Sequence, residues 1–281
     1  MQGVIDMHVH TDPDLRPRAY DDFDLCDAAV RVGARAVVIK SHLGSTAERA
    51  QLVNRYNRLT HGENGFTLFG SVTLNRCVGG INPVAVENAL RLGARVVWLP
   101  TQSARHHLER IGKPTGGAVH VLSGGKVVPE LTEVFALVKD YGAVLGTAHI
   151  SPEETFAVVE AARKAGVEKI VVTHPEWWLV GMSEEDQVRL VREYDVVLER
   201  CFAQNMGDGR YSSNLQRNLE IIGRAGYRNV LVSTDGGQLE NPRWEIAMQT
   251  YMQFLLDGGI PESHIRHMTH DLPARLLGIE P

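Results

Sequence analysis

Val4-Ile5-Asp6-Met7-His8-Val9-His10 is a short apolar run that ends in two histidines one residue apart. In an extended chain residues i and i+2 face the same way, so as a strand this stretch presents both imidazoles to one side. Taken alone, a His-x-His pair is commonly two exposed or hydrogen-bonded histidines; its meaning depends on what stands at equivalent places further along. Three more residues of ligand type close later apolar runs: His149 after Ala143-Val144-Leu145-Gly146-Thr147-Ala148, His174 after Ile170-Val171-Val172-Thr173, and Asp235 after Val230-Leu231-Val232-Ser233-Thr234.

Those runs belong to a repeated phrase of helix, glycine and strand. Asp27-Ala28-Ala29-Val30-Arg31-Val32-Gly33-Ala34-Arg35-Ala36-Val37-Val38-Ile39-Lys40 has a counterpart in Glu87-Asn88-Ala89-Leu90-Arg91-Leu92-Gly93-Ala94-Arg95-Val96-Val97-Trp98-Leu99-Pro100. The phrase returns around Gly166 and Gly226. Each glycine suits the left-handed position just past a helix end, and each following run is continuously apolar and β-branched, as parallel strands covered on both faces are. Strands are expected near residues 3–10, 35–40, 66–74, 94–100, 142–149, 169–174, 195–202 and 229–235. Alternating strands and helices in this number predict an α/β chain folded as a distorted (β/α)8 TIM barrel, in one domain spanning residues 1–281. In such a barrel the site forms at the C-terminal strand ends, where His10, Lys40, His149, His174 and Asp235 fall.

Two segments break the rhythm. Thr11 to Phe23 carries Asp12, Asp14, Arg16 and Arg18 on the catalytic side of strand 1, and Thr101 to about Val128 forms a long loop after strand 4 through Arg105-His106-His107 and Ser123-Gly124-Gly125-Lys126. A loop of that length in a compact domain is usually functional, and a lid over the barrel mouth is one reading. The loop Asn205 to Ser213 after strand 7, with Arg210, could join it.

The chain has 281 residues, 43% of them hydrophobic, enough for a sizeable core, and its net charge of −5 leaves no basic footprint for nucleic acid or an anionic membrane. Cys26, Cys77 and Cys201 are scattered and odd in number, which points to a reducing compartment rather than a disulfide framework. No apolar run approaches the ~18 residues of a membrane span, and the opening residues show no positively charged start followed by an apolar h-region, so no signal peptide is expected. The expectation is a cytoplasmic protein acting on a small molecule; homo-oligomers are compatible with it, though no stripe marks an interface.

Four imidazoles and a carboxylate suit Zn²⁺, with Mn, Fe or Ni as alternatives, and one or two ions. His8-Val9-His10 on strand 1, His149 on strand 5, His174 on strand 6 and Asp235 on strand 8 resemble the metal-site pattern of the amidohydrolase superfamily, over nearly the whole chain. Asp271-Leu272-Pro273-Ala274-Arg275-Leu276-Leu277-Gly278 is also similar to the Asn-Pro-Ala-Arg-Leu-Leu-Gly tail common there. The resemblance implies one or two divalent metals and a water that attacks a scissile bond. It would give the first metal to His8, His10 and Asp235, the second to His149 and His174, and the water's proton to Asp235. His174 is also a candidate catalytic residue, free to act on substrate if only one metal is held.

One departure concerns strand 4, which in two-metal members often supplies a carboxylated lysine; here it ends Trp98-Leu99-Pro100-Thr101. Lys40, at the end of strand 2, is the one lysine in an equivalent position. As an ammonium it cannot bind metal, as a carbamate it would offer two oxygens, and as a plain cation it would bind substrate or pair with an acid. Arg16, Arg76, Arg105 and Arg210 fall on loops where a guanidinium could clamp a substrate carboxylate or phosphate. Glu199 would be buried at the site or paired with a base, His42 is a loop histidine near Lys40, and His264, His267 and His270 read as surface positions. The leading expectation is hydrolysis of an amide, cyclic amide, lactone or ester in a small polar substrate. A mononuclear metal-dependent decarboxylase, a phosphoester hydrolase and a non-enzymatic metal or ligand binder are the competing readings.

Overall fold

The structure, a computed structural model, describes residues 1–206 and 210–280. Every anticipated strand is present: β1 (Ile5–His10), β2 (Ala36–Lys40), β3 in two pieces (Thr67–Phe69 and Ser71–Thr73), β4 (Val96–Trp98), β5 (Val144–Gly146), β6 (Ile170–Val172), β7 (Val197–Cys201) and β8 (Val230–Ser233). Each repeat glycine, Gly33, Gly93, Gly166 and Gly226, takes positive φ just past its helix, as the sequence requires. The chain divides into two compact units, one of residues 1–41, 46–70 and 200–281 and the other of residues 42–45 and 71–199.

In the first unit β1 pairs in parallel with β2, and β2 with the first piece of β3. The β1–β2 register runs Ile5↔Ala36 and Asp6↔Val37, then resumes at Val9↔Ile39 and His10↔Lys40, so β1 carries one extra residue between Asp6 and Val9. Beyond β8, Gly236 bridges to Val9 of β1. The outer faces of β1 and β2 are covered by α1 (Asp22–Arg31) and α2 (Ala47–His61). Leu25, Cys26, Ala28 and Ala29 of α1 and Val53 of α2 join Val9, Val37, Ile39 and Leu68 in one buried cluster. An Asp21–Asp24 capping box fixes where α1 begins. A second cluster packs Val230 and Val232 of β8 against Ile222, Met248, Tyr251 and Leu255 from the helices Leu215–Ala225 and Trp244–Asp257.

In the second unit the second piece of β3, then β4, β5, β6 and β7, lie side by side in parallel, with Val72↔Val97, Val97↔Leu145, Leu145↔Ile170 and Leu198↔Val172 as partners. The apolar runs are buried throughout, Val96, Val97, Val144, Leu145, Val171 and Val172 among them. The anticipated long loop after β4 has structure of its own: a short helix over Arg105–Arg110 and a hairpin pairing Leu122–Ser123 with Lys126–Val127. The loop after β7 likewise carries paired strands, Ala203–Asn205 with Tyr211–Ser213, around residues 207–209, which lie outside the described residues.

The reading of the three C-terminal histidines as surface needs correction. His270 is buried, because the turn Met268-Thr269-His270 winds as a π-helix that carries its ring under Gly3. His264 is half-buried and stacks on Tyr227, ring centroids 3.6 Å apart. No helix among the described residues is long and apolar enough to cross a membrane.

All three cysteines are free thiols, Cys26 and Cys201 buried and Cys77 exposed, and burial pushes the Cys26 thiol up to about 12. Iodoacetamide at pH 8 should therefore label Cys77 alone in the native protein and all three cysteines in denaturant, as read by mass spectrometry. Rapid native labelling of Cys26 would contradict the packing of α1.

Candidate functional site

Three donors converge in the first unit. His8 and His10 reach Asp235 from β1, each Nε2 standing 3.2 Å from the same Asp235 Oδ1. Their ring centroids are 5.3 Å apart. His8 and His10 are buried, and Asp235 keeps 21% of its side chain accessible, so the group opens at the carboxylate. The ligand atoms of all three residues lie within 4.8 Å of one another. Donors that share a tetrahedral zinc at about 2.0–2.1 Å stand roughly 3.3 Å apart, close to the two spacings here. The donor set thus fits a divalent cation in chemistry and in distance.

The chain spends conformational energy to hold this geometry. Asp235 sits at φ +50°, and the next two residues are glycines. At Gly237, φ +87°, a Cβ would lie 1.8 Å from the His10 carbonyl oxygen, so only glycine lets this turn close on β1. The His10 amide donates to the Gly236 carbonyl at 2.9 Å. Below the histidines, the Asp6 carboxylate accepts from the His8 amide (3.0 Å), the Thr234 hydroxyl (2.6 Å) and amide, and the Trp244 indole (2.9 Å). One fully buried side chain therefore clamps β1, the end of β8 and the helix that follows. Burial pushes the Asp6 carboxyl up to about 6 against the pull of these donors.

Burial, with the nearby Arg18 cation adding to it, holds His10 well below the usual histidine range, leaving a neutral imidazole with a lone pair to give. Lys40 is also buried here, its Nζ 3.1 Å from His8 Nε2. Beside the group, Arg18 is held by Asp14 (Nε–Oδ2 2.7 Å), and both Arg18 and the half-exposed Arg16 donate to Gln238 Oε1. Arg16 also lies 3.6 Å from Glu240.

A second cluster forms in the second unit. His149 follows β5 and His174 follows β6, their ring centroids 5.2 Å apart, and the Trp177 ring stands edge-on to both at 5.0 and 4.9 Å. Thr173 and Thr147 tie the two strand ends together through hydrogen bonds to Ala148 N and Thr173 N. His42 stands 6.0 Å from His149, its Nδ1 2.8 Å from Thr101 Oγ1. His107 places its Nδ1 2.9 Å from His149 Nδ1. Burial, ahead of the neighbouring His106 charge, lowers His107 to about 4.

Backbone strain marks both clusters. Among the described residues four non-glycines have positive φ; three are Ala148, preceding His149, and His174 and Asp235 themselves. Each such position costs on the order of 1–3 kcal/mol, and strain of this kind gathers at functional sites.

Of the other anticipated residues, Arg76 is exposed and lines an open cleft of about 490 Å³ with Gly79, Gly117, His120 and Glu130. Arg105 is exposed and bonded to Glu109 at 2.7 Å, Arg210 is exposed, and Glu199 is fully buried on β7. Asp6, Trp244, His107 and Trp177 were not singled out from the sequence. Asp6 carried a readable signal: it is the one acidic residue inside the apolar run of β1. The three others act through contacts with no local pattern.

The comparisons agree with this architecture. A family model described as "Family of unknown function (DUF6282)" matches residues 3–199. No curated protein matches the chain. Similar solved structures include an amidohydrolase from Pseudomonas aeruginosa, 12% identical, with a TM-score of 0.69 over 98% of this chain and 95% of that one. An organophosphorus hydrolase from Deinococcus radiodurans is 14% identical, with a TM-score of 0.62 over 99% and 93% of the two chains. A 2,6-dihydroxybenzoate decarboxylase from Rhizobium is 13% identical, with a TM-score of 0.57 over 99% of each chain. At these identities the likeness establishes the fold, the distorted (β/α)8 barrel anticipated from the repeats.

The Asp6 clamp makes a quantitative prediction. Asp6→Ala strands several buried donors and should cost about 3–5 kcal/mol in urea unfolding, whereas Trp244→Phe removes one donor and should cost about 1–3 kcal/mol. Equal costs for the two would show that the carboxylate is not the hub.

Proposed function

Because the chain belongs to DUF6282, a family of unknown function, its chemistry has to come from its own side chains, and we propose a metal-dependent hydrolase of amidohydrolase type. The observation that carries this reading is the placement of His8 Nε2 and His10 Nε2 at 3.2 Å from one Asp235 oxygen, on a strained turn opening to solvent. A divalent ion, zinc before manganese, iron or nickel, supplies Lewis acidity toward water and a scissile carbonyl.

In this reading His8, His10 and Asp235 hold the first ion. Asp235, the most accessible of the three, also takes the proton released when water attacks an amide, cyclic amide, lactone or ester. His149 and His174 form the second ligand set, with His174 contributing to catalysis. Lys40 joins the first set as a carbamate, whose oxygens replace an ammonium that would repel a cation beside His8 Nε2. Arg16, Arg76, Arg105 and Arg210 are the candidate substrate cations. Arg16 is the best supported, since it and Arg18 converge on Gln238 next to the Asp235 turn. Residues 1–281 acting as one catalytic domain, a small-molecule substrate and a cytoplasmic setting complete the proposal.

Decarboxylation is the second reading, favoured by two observations: strand β4 ends without a ligand-type residue, and a decarboxylase shares the fold. The two separate by metal stoichiometry. Protein expressed with zinc and bicarbonate is expected to hold two ions per chain, falling to one or none in Lys40→Ala. One ion, unchanged in Lys40→Ala, would move the decarboxylase forward. His8→Ala and Asp235→Asn should lose metal and at least about 100-fold of turnover on a panel of amides, lactones and esters. Full metal content and activity in both would refute the assignment.

A further inference from the structure

Resting on the reading of His149 as a metal ligand, we propose that His107 is its positioning residue, accepting the His149 Nδ1 proton so that the Nε2 lone pair is presented to the cation. The two Nδ1 atoms are 2.9 Å apart, the rings lie within 15° of parallel, and both residues are buried. A nitrogen–nitrogen contact this short needs one N–H and one lone pair, and a neutral imidazole has one of each. The tautomers of the pair are therefore interlocked. With the proton on His149 Nδ1, the lone pair of the ring lies on Nε2. With it on His107 Nδ1, the proton of His149 moves to Nε2 and blocks it. Metal ligands of this kind ordinarily hand the second N–H to a carboxylate or carbonyl; here an imidazole takes that place.

The segment that carries His107 is fixed accordingly. Asn75 Oδ1 accepts from the Thr101 and Ser103 amides, Val119 N donates to Ser103 O at 2.7 Å, and Arg105 N donates to Val119 O. Next to His107, His106 Nε2 lies 3.1 Å from the Val180 carbonyl. Two successive histidines are thus pinned on different partners, which gives the excursion after β4 a purpose that its length alone does not reveal.

The test is zinc affinity of the full chain, by competition with a chromophoric chelator. His107→Leu should weaken zinc binding 10–100-fold, and His107→Asn, whose Oδ1 stands near the lost Nδ1, should recover most of it. Thermal melts confirm that each variant is folded. If His107→Leu does not fold, the zinc-loaded wild type decides through histidine nitrogen NMR: a protonated Nδ1 on His149 is expected, and a protonated Nε2 overturns the proposal. Unchanged affinity in folded His107→Leu, or His107→Asn as weak as His107→Leu, also overturns it. A wild type that binds no zinc refutes the functional reading itself, which keeps the two failures apart.

Discussion

The Asp6 carboxylate is the constraint on which the first unit depends. A buried carboxylate without partners costs several kcal/mol, and here donors from β1, β8 and the following helix surround it. Each donor would itself be stranded without Asp6, so the penalty of burying the charge becomes a penalty for pulling the strands apart. His8 and His10 are offered to Asp235 as a consequence. Their rings are aimed by the strand, the strand is held by Asp6, and Asp235 is placed by a turn that only Gly237 can close.

The strained residues say the same in energetic terms. A non-glycine at positive φ persists only where its surroundings over-determine it. At His174 and Asp235, and just before His149, the surrounding hydrogen bonds do so: Thr173 and Thr147 bind the ends of β5 and β6, and Thr234 and Gly236 tie the β8 turn to β1. The fourth such residue, Asp195, closes the helix before β7, so the conformation also serves as a plain helix cap. Under the proposed function, three of the four fall at the candidate donors, where holding them preformed would matter, because ligands that must reorganise on binding lose affinity to the cost of ordering them.

The sequence carried the regular part of this design. Continuous apolar runs, four of them after left-handed glycines, located all eight strands, and strand-end placement picked His8, His10, Lys40, His149, His174 and Asp235, which fall into two groups in the two units. It carried less of what depends on tertiary contact. Lys40 was placed at a strand end, but its approach to His8 follows from the His10↔Lys40 register, which no periodicity encodes. His107 stood in view in a long loop, and only the fixed path through Asn75 and Val119 brings it to His149. A three-residue spacing predicts His264, His267 and His270 on one surface face of a regular helix, whereas a π-helical turn rotates His270 inward.

X-ray absorption at the zinc edge on the zinc-loaded full chain reads the ligand set itself. Nitrogen and oxygen neighbours at about 2.0–2.1 Å are expected, with the outer-shell pattern of imidazole rings and no sulfur. A sulfur shell at about 2.3 Å would put a cysteine among the donors, and a spectrum without imidazole scattering would show that His8 and His10 do not hold the ion; either result would contradict that expectation.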